Sequence, residues 1–248
     1  MRPVHRLTFR IREFETDKRG NLHAAILCKF LQEAATVHAA ELGVSVESLV
    51  DSGVAWVLRR LHLNVTRWPK AGDEIIIDTW PEALDRLTTE RRFDIRTGGG
   101  EIVGSATTIW LVLDLEKRRP VRIPAGIVES LSVHDLGRRP TRFPALTAPE
   151  RSENEILLPV RWADLDLAGH VNNTSYVDWV LEATPDEVRD HRRLAELDIY
   201  YLSECRRGSS VVSACQAFPG AGELEIRHTV TRATDDELAA SARSSWVT

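Results

Sequence analysis

Hydrophobic and polar residues follow two different periods along this chain, and the periods predict its elements in order. Leu27, Phe30 and Leu31 recur at helical spacing. Residues 22–42 are therefore predicted to form a helix with one apolar stripe, and a second helix is predicted over about 172–182. Short apolar runs bounded by turn residues surround both helices and are typical of strands. The predicted strands are 6–13, 58–65, 74–80, 89–95 and 102–113, then 157–162, 197–201, 210–217, 223–231 and 238–247.

The two sets of elements repeat each other. At an offset of 149 residues, the identical pairs are Arg12/Arg161, Asp17/Asp166, Gly20/Gly169, Glu33/Glu182 and Ala34/Ala183. At an offset of 136, they include Leu61/Leu197, Gly72/Gly208, Glu101/Glu237, Ser105/Ser241, Ala106/Ala242 and Trp110/Trp246. The change of offset places an insertion of 13 residues between Ala35 and Arg60. We interpret the chain as a duplicated unit, because the matches keep their order along it.

Each predicted unit is one helix followed by an antiparallel sheet, so the fold class is α+β. A curved sheet wrapped around a central helix would bury the apolar stripe of that helix. Between the units, residues 120–149 contain five prolines and many arginines. We expect this stretch to be a connector with a short helix near 127–131.

Composition narrows the class of protein further. The chain of 248 residues is 43% hydrophobic and 28% charged, which is ordinary for a globular protein, and its net charge of −5 gives no global basic field for nucleic acid. Only four of the 32 cationic residues are lysine. That excess of arginine suits forked recognition of carboxylate or phosphate, and codon bias explains it equally well.

Cysteine content and hydropathy point to a cytoplasmic location. Three cysteines are too few and too scattered for a disulfide framework or a zinc site. The charged, alternating N-terminus does not resemble a signal peptide. No run reaches the roughly 18 apolar residues of a membrane span, so we expect no membrane partner.

The densest polar cluster lies where the second helix should begin. It consists of Asp164, Asp166, His170, Asn172 and Asn173. A helix N-terminus offers N–H groups that stabilise a developing oxyanion, and a carboxylate with an imidazole can activate water. The same residues could instead be turn and cap residues beside a solvated histidine. A metal held by Asp166 and His170 lacks a third ligand at a recognisable spacing, so no metal and no cofactor is expected.

Comparison of the two repeats separates structural from chemical residues. The first unit keeps Asp17 and Gly20 but has Asn21 at the position of His170. It has His23 and Ala24 at the positions of the two asparagines. Residues found in both units are interpreted as structural, and those found only in the second as chemical. The chain has no Gly-x-Ser-x-Gly, Walker or dinucleotide-binding motif.

At this cluster the chain resembles a known family. Residues 164–176, Asp-Leu-Asp-Leu-Ala-Gly-His-Val-Asn-Asn-Thr-Ser-Tyr, with Trp179 and Leu181-Glu182 after them, resemble the signature of the acyl-acyl-carrier-protein (acyl-ACP) thioesterases of plants and bacteria. Further similar segments are 9–13, 31–35, 67–69, 72–73, 78–80, 91–92, Trp110 and 203–206. The resemblance therefore runs from about residue 6 to the C-terminus.

The resemblance implies a fold, a reaction and a partner. The fold would be a tandem (double) hotdog, with one unit at 1–125 holding the acyl-chain pocket, a linker at 126–155 and a catalytic unit at 156–248. The reaction would be hydrolysis of a fatty acyl thioester on the phosphopantetheine of acyl carrier protein, which makes that carrier the partner. No nucleic acid or membrane is implied, and a homodimer of double hotdogs is compatible with it.

The resemblance also implies site residues. Asp166, His170 and Glu204 match catalytic positions of the family, and Cys205 matches a cysteine once assigned as nucleophile. The family usually has asparagine two residues before the histidine, where this chain has Ala168. Because alanine cannot donate a side-chain hydrogen bond, that role is lost or moved, and Asn172 is close enough in sequence to take it. A non-catalytic acyl-binding hotdog protein therefore stays open as an alternative. An acyl-coenzyme A thioesterase is a second alternative.

Three further expectations concern individual side chains. Arg206 and Arg207 are expected to dock the acidic carrier protein. Leu27, Leu31 and Trp56 are expected to line the acyl-chain pocket.

The third expectation is that Glu204, and not Cys205, acts on the thioester. Neighbouring side chains of an extended strand point to opposite faces, so the two cannot both face the site without a bulge. The adjacent carboxylate of Glu204 also opposes formation of a thiolate at Cys205.

Overall fold

The computed structural model describes residues 4–131 and 141–248. The residue contacts divide these into two compact units. Unit 1 comprises the described residues of Met1–Leu61 and Thr66–Phe143, and unit 2 comprises His62–Val65 and Pro144–Thr248.

Unit 1 is a sheet with one long helix. Its elements are β1 (His5–Arg10), α1 (Ala24–Glu41), α2 (Val46–Asp51), β2 (Val54–Val65, of which the last four residues group with unit 2), β3 (Glu74–Leu84), β4 (Thr88–Thr97), β5 (Ile102–Asp114), β6 (Arg119–Val121) and α3 (Ala125–Leu131). The main strands follow the order β1-β3-β4-β5-β2, and the β1–β3, β3–β4 and β4–β5 pairs are antiparallel. Helix α1 packs against β1 and β3.

Unit 2 has the same plan. Its elements are β7 (Asn154–Pro159), α4 (Asn173–Glu182), α5 (Asp186–His191), β8 (Arg193–Tyr201), β9 (Ser210–Pro219), β10 (Glu223–Arg232) and β11 (Leu238–Val247). The strands follow the order β7-β9-β10-β11-β8, with antiparallel pairs throughout. Helix α4 packs against β9 and β10.

The strand orders confirm the duplication and the α+β class. Both units place their first strand beside their third, then continue through the fourth and fifth to the second. The register of the first pair repeats as well: Phe9 faces Ile75 in unit 1, and Leu158 faces Val211 in unit 2. These four residues are related by the two sequence offsets, so the offsets correspond to structural equivalence.

The insertion in unit 1 lengthens its helix and its second strand. Helix α1 has 18 residues and α4 has 10, while β2 has 12 and β8 has 9. In both units a short helix of six residues, α2 or α5, lies between the central helix and the second strand. Helix α3 lies where a short helix was predicted in the connector.

The apolar stripe of each central helix is buried. In α1, Leu27 and Leu31 are almost completely inaccessible, and in α4, Val177 and Val180 are completely so. Each such side chain contributes roughly 1.5–3 kcal/mol relative to exposure. The two leucines expected in an acyl-chain pocket are therefore part of the core of unit 1.

Candidate active site

The site in unit 2 begins with a turn built by Asp166. Its Oδ1 accepts hydrogen bonds from the N–H groups of Ala168 (2.9 Å) and His170 (3.0 Å). Gly169 completes the turn with a φ of +77°, a conformation that glycine adopts without strain. His170 follows directly, and its backbone is bridged to that of Arg206.

Unit 1 contains the same turn without the histidine. Asp17 Oδ1 accepts from the N–H groups of Arg19 (2.8 Å) and Asn21 (3.0 Å), and Gly20 also has a φ of +77°. This carboxylate is therefore required by the turn in both units. In unit 2, Asp166 positions the residue that follows the turn, which is His170.

Asn172 is the N-cap of α4. Its Oδ1 accepts hydrogen bonds from the backbone N–H (2.9 Å) and the hydroxyl (2.8 Å) of Thr174. Among the bonds of the described residues, none uses the N–H of Asn173, the first residue of the helix. The cap thus leaves one donor, with the partial positive charge of the helix end behind it, at the start of α4.

The loop between β8 and β9 carries Glu204, and its backbone is held at three points. The buried Tyr176 of α4 donates its hydroxyl hydrogen to the carbonyl of Ser203 (3.2 Å) and accepts from the N–H of Cys205 (3.0 Å). Arg232 of β10 donates to the carbonyl of Glu204 itself (2.8 Å). These bonds fix the backbone on both sides of Glu204, so its carboxylate has a defined position.

The structure brings the side chains of His170 and Glu204 together, although 34 residues separate them. Glu204 Oε2 lies 3.4 Å from His170 Nε2, and both side chains are about one-third exposed. One nitrogen of Arg206 lies 2.8 Å from Glu204 Oε1 and 3.1 Å from His170 Nε2. Because guanidinium only donates, the Arg206 contact requires Nε2 to accept. If Nε2 instead carries a hydrogen and donates it to Glu204, it cannot accept from Arg206. His170 therefore makes one of these two hydrogen bonds at a time, not both.

Cys205 faces the interior. It is fully buried, and burial raises the pKa of its thiol. A buried thiol with a raised pKa is not a reactive nucleophile. Glu204 and Cys205 thus point in different directions, in a loop rather than in a strand.

The corresponding loop of unit 1 has the same backbone geometry without these groups. The N–H of Leu22 donates to the carbonyl of Pro69, as the N–H of Val171 donates to the carbonyl of Cys205. By the same offset, Trp68 corresponds to Glu204. Leu27 corresponds to Tyr176, so the hydroxyl that holds the loop is also specific to unit 2.

The two arginines expected to dock a carrier protein have different surroundings. Arg206 contacts both His170 and Glu204 and is therefore part of the site. Arg207 lies over the ring of Trp162, 4.8 Å from its centroid. The sequence reasoning did not separate them and also missed Tyr176, although comparing Tyr176 with Leu27 would have singled it out.

Unit 1 contains an apolar cavity of about 80 Å³ of solvent-accessible volume. Among the residues expected to form a pocket, Trp56 lines it, whereas Leu27 and Leu31, which are buried nearer the start of α1, do not. Ala35 and Ala39 provide its helical wall. The buried guanidinium of Arg91 also reaches it, and burial lowers the pKa of this group to about 10.

Residues 4–131 and 141–248 contain neither a metal-binding cluster nor a membrane-spanning helix. No group of three or more histidine, cysteine or acidic side chains there could hold a metal ion. In the same ranges, no helix is both long enough and apolar enough to cross a bilayer.

Comparison with known proteins gives matches over nearly the whole chain. The model of the acyl-ACP thioesterase N-terminal domain matches residues 2–131, and that of the acyl-ACP thioesterase C-terminal domain matches residues 147–248. The chloroplastic acyl-[acyl-carrier-protein] hydrolase FATB2 of Cuphea viscosissima is 28% identical over 261 residues. That match covers 98% of this chain, which spans 62% of the length of the hydrolase.

Two solved structures share the entire fold. A Lactobacillus plantarum protein assigned as an oleoyl thioesterase has a TM-score of 0.90 and 25% identity, with 100% of this chain and 97% of that chain covered. The 12:0-ACP thioesterase of Umbellularia californica has a TM-score of 0.82 and 25% identity, with coverages of 98% and 96%. These likenesses confirm the expected double hotdog fold.

Proposed function

The chain belongs to the acyl-ACP thioesterase family, and from this premise we propose that it hydrolyses the thioester between a fatty acyl chain and the phosphopantetheine of acyl carrier protein. The products are free fatty acid and holo-carrier protein. The observation that supports this proposal most is the His170–Glu204 pair, 3.4 Å apart beside the start of α4. Unit 1 keeps the surrounding backbone but has Asn21 and Trp68 at these positions, so the fold alone does not require the pair.

In the proposed reaction, Glu204 directs a water molecule at the thioester carbonyl. The water oxygen forms a bond to the carbonyl carbon while Glu204 takes its proton. An imidazole N–H of His170 and the backbone N–H of Asn173 stabilise the resulting oxyanion. The carbon–sulfur bond then breaks, and the proton held by Glu204 passes to the departing thiolate. Because a thioester is already activated, this route needs no covalent intermediate.

The remaining site residues position these groups. Asp166 builds the turn that presents His170, and Asn172 caps α4 with its Oδ1. The hydrogen-bond donation expected of Asn172 in place of the missing asparagine stays a prediction. Ala168 donates only its backbone N–H, to Asp166, as the backbone N–H of Arg19 donates to Asp17 in the turn of unit 1. Arg206 neutralises one oxygen of Glu204 and leaves the other directed at His170.

For the acyl chain, we propose the cavity of unit 1. Its walls are mainly apolar, with Trp56 and Trp110 among them, and alanines on α1 leave the space open. The acyl chain of the substrate is thus assigned to unit 1 and its hydrolysis to unit 2, which is the division expected from the sequence. The homodimer and the cytoplasmic location also stay predictions, which sedimentation velocity and cell fractionation test.

Side-by-side hydrolysis of C8–C18 acyl-ACP and acyl-coenzyme A substrates tests the proposed function. We expect kcat/KM to be at least about tenfold higher with the carrier protein, since a protein surface adds contacts that coenzyme A lacks. A preference for coenzyme A would support the alternative thioesterase. Failure of the folded protein to hydrolyse either class would leave an acyl-binding protein.

A further inference from the structure

Two large apolar side chains are exposed on the segment that leads into His170. Trp162, in a short 3-10 turn after β7, is 73% exposed, and Leu167, in the turn built by Asp166, is 110% exposed. Single exposed apolar residues are common, but two within six residues of chain beside a candidate active site form a local patch of the kind that marks interaction sites.

A cation accompanies this apolar patch. The Arg207 guanidinium lies over the Trp162 ring, 4.8 Å from its centroid, and no carboxylate of residues 4–131 or 141–248 pairs with it. The neighbouring arginines differ in this respect, because Arg161 pairs with Asp164 and Arg206 pairs with Glu204. Stacking on the indole holds Arg207 in place while leaving its N–H donors for an external acid.

The fold does not require these three side chains. By the sequence offsets, unit 1 has Glu13 at the position of Trp162, Lys18 at that of Leu167 and Ala71 at that of Arg207. Both turns nevertheless form in unit 1 with the same hydrogen bonds. The combination of two apolar groups and an available cation is therefore specific to the unit that carries His170.

Unit 1 has an exposed aromatic residue of its own, which provides a control. Phe14 is 78% exposed and lies beneath Arg12, 4.9 Å from guanidinium to ring centroid. Arg12, however, is paired with Glu15. An aromatic–arginine pair thus exists in both units, but only the pair in unit 2 offers a cation without an acid partner in the described residues.

We propose that Trp162, Leu167 and Arg207 form the docking surface for the acidic carrier protein, an inference that rests on the proposed function. This chain has a net charge of −5, so an acidic partner must meet a local cation to approach it. Arg207 pairs with a carboxylate of the carrier, and the two apolar side chains are covered by it. The carboxylate of Asp166 is exposed on the same segment, but it already accepts hydrogen bonds from two backbone N–H groups, which offset part of its negative charge. A patch of three side chains suits a transient contact that must release its product.

The test compares substrates with and without a carrier. KM and kcat are measured for Trp162→Ala, Leu167→Ala and Arg207→Glu with acyl-ACP and with the N-acetylcysteamine thioester of the same acyl chain. We expect KM for acyl-ACP to rise about tenfold in each variant, with kcat and the small thioester unchanged within about twofold. Phe14→Ala should leave KM and kcat unchanged for both substrates, whereas Arg206→Ala should lower kcat for both. Thermal unfolding confirms that each variant is folded, and Arg207→Gln is used if Arg207→Glu is not.

Other outcomes overturn the docking proposal. An equal loss on both substrates would assign the patch to the site itself, and no loss on either would leave it without a role. An equal rise in KM for acyl-coenzyme A would mean that the patch binds a group common to both carriers. A changed sedimentation coefficient in the variants would assign it to an interface between copies of this chain.

If the wild-type protein hydrolyses no thioester, the proposed function fails. Fluorescence anisotropy of labelled carrier protein, with wild type against Arg207→Glu, then still tests the docking surface.

Discussion

Replacing Tyr176 with phenylalanine removes the hydroxyl that holds the Glu204 loop against α4. This hydroxyl makes two hydrogen bonds, to the carbonyl of Ser203 and from the N–H of Cys205. The N–H of Cys205 is in a buried residue and loses its acceptor, at a cost of about 1–3 kcal/mol. Ser203 is half-buried, so its carbonyl can be hydrated and adds only about 0.5–1 kcal/mol.

The expected loss of stability is therefore about 1.5–4 kcal/mol, which lowers Tm by roughly 3–16 °C in a chain of this size. Activity should fall separately, because the carboxylate of Glu204 is no longer fixed relative to His170. We expect kcat on a small thioester to fall by about 10-fold or more, with KM unchanged, at a temperature where the variant is fully folded. Differential scanning calorimetry and steady-state kinetics measure the two effects.

Ser213→Ala is the matched control. Ser213 is buried and donates to the carbonyl of Trp179 (2.7 Å), so it also joins the sheet of unit 2 to α4. Its loss should lower stability by about 1 kcal/mol and leave kcat unchanged. If Tyr176→Phe lost stability but kept its kcat, the hydroxyl would have only a structural role, and the positioning argument would be wrong.

Three further predictions concern the turn, a buried histidine and the cavity. Alanine at Gly169 or at Gly20 must adopt a positive φ, so each variant should lose about 1–2 kcal/mol in urea denaturation, but only Gly169→Ala should also lose activity; equal activities would contradict this. Burial lowers the pKa of His228 to about 3, whereas it is 6.5 when unfolded, so the unfolded chain binds the proton first and stability falls as pH drops below 6.5. Between pH 7 and 5 the free energy of unfolding should fall by about 2 kcal/mol. In urea denaturation, His228→Gln should abolish this pH dependence, and a variant with an unchanged pH dependence would refute the role of His228. Ala39→Leu narrows the unit 1 cavity and should shift the preferred acyl chain to shorter lengths in a C8–C18 profile; an unchanged profile in a folded variant would remove the pocket assignment.

The fold was largely predictable because both periods and both copies of the repeat are visible in the chain. Conserved spacing between Asp17 and Gly20, and between Asp166 and Gly169, corresponds to one turn formed twice. Element ends were less accurate. The predicted strand 6–13 stops at Arg10 in the structure, because the chain then enters a 3-10 turn that local hydrophobicity does not reveal.

The sequence selects candidate site residues but does not reveal the contacts between them. The contrast between His170 and Asn21 in the repeats indicates a chemical role. Nothing in the sequence states that Arg206 reaches both His170 and Glu204, because that contact depends on the approach of two loops. Leu27 and Leu31 are buried and do not line the cavity of unit 1. An apolar residue on a helix can line a pocket or fill a core, and only packing decides which.

The identity of the reacting group is the claim on which the mechanism depends. Glu204→Gln and Cys205→Ala, both checked for folding, are compared for hydrolysis of the same acyl thioester. Loss of the general base should lower kcat by about 10²–10⁴-fold in Glu204→Gln, while Cys205→Ala should stay within about tenfold of the wild type, because its thiol is buried and its pKa is raised. An inactive Cys205→Ala variant, together with an acyl-enzyme trapped on wild-type Cys205 and seen by mass spectrometry, would contradict the account and make the cysteine the nucleophile.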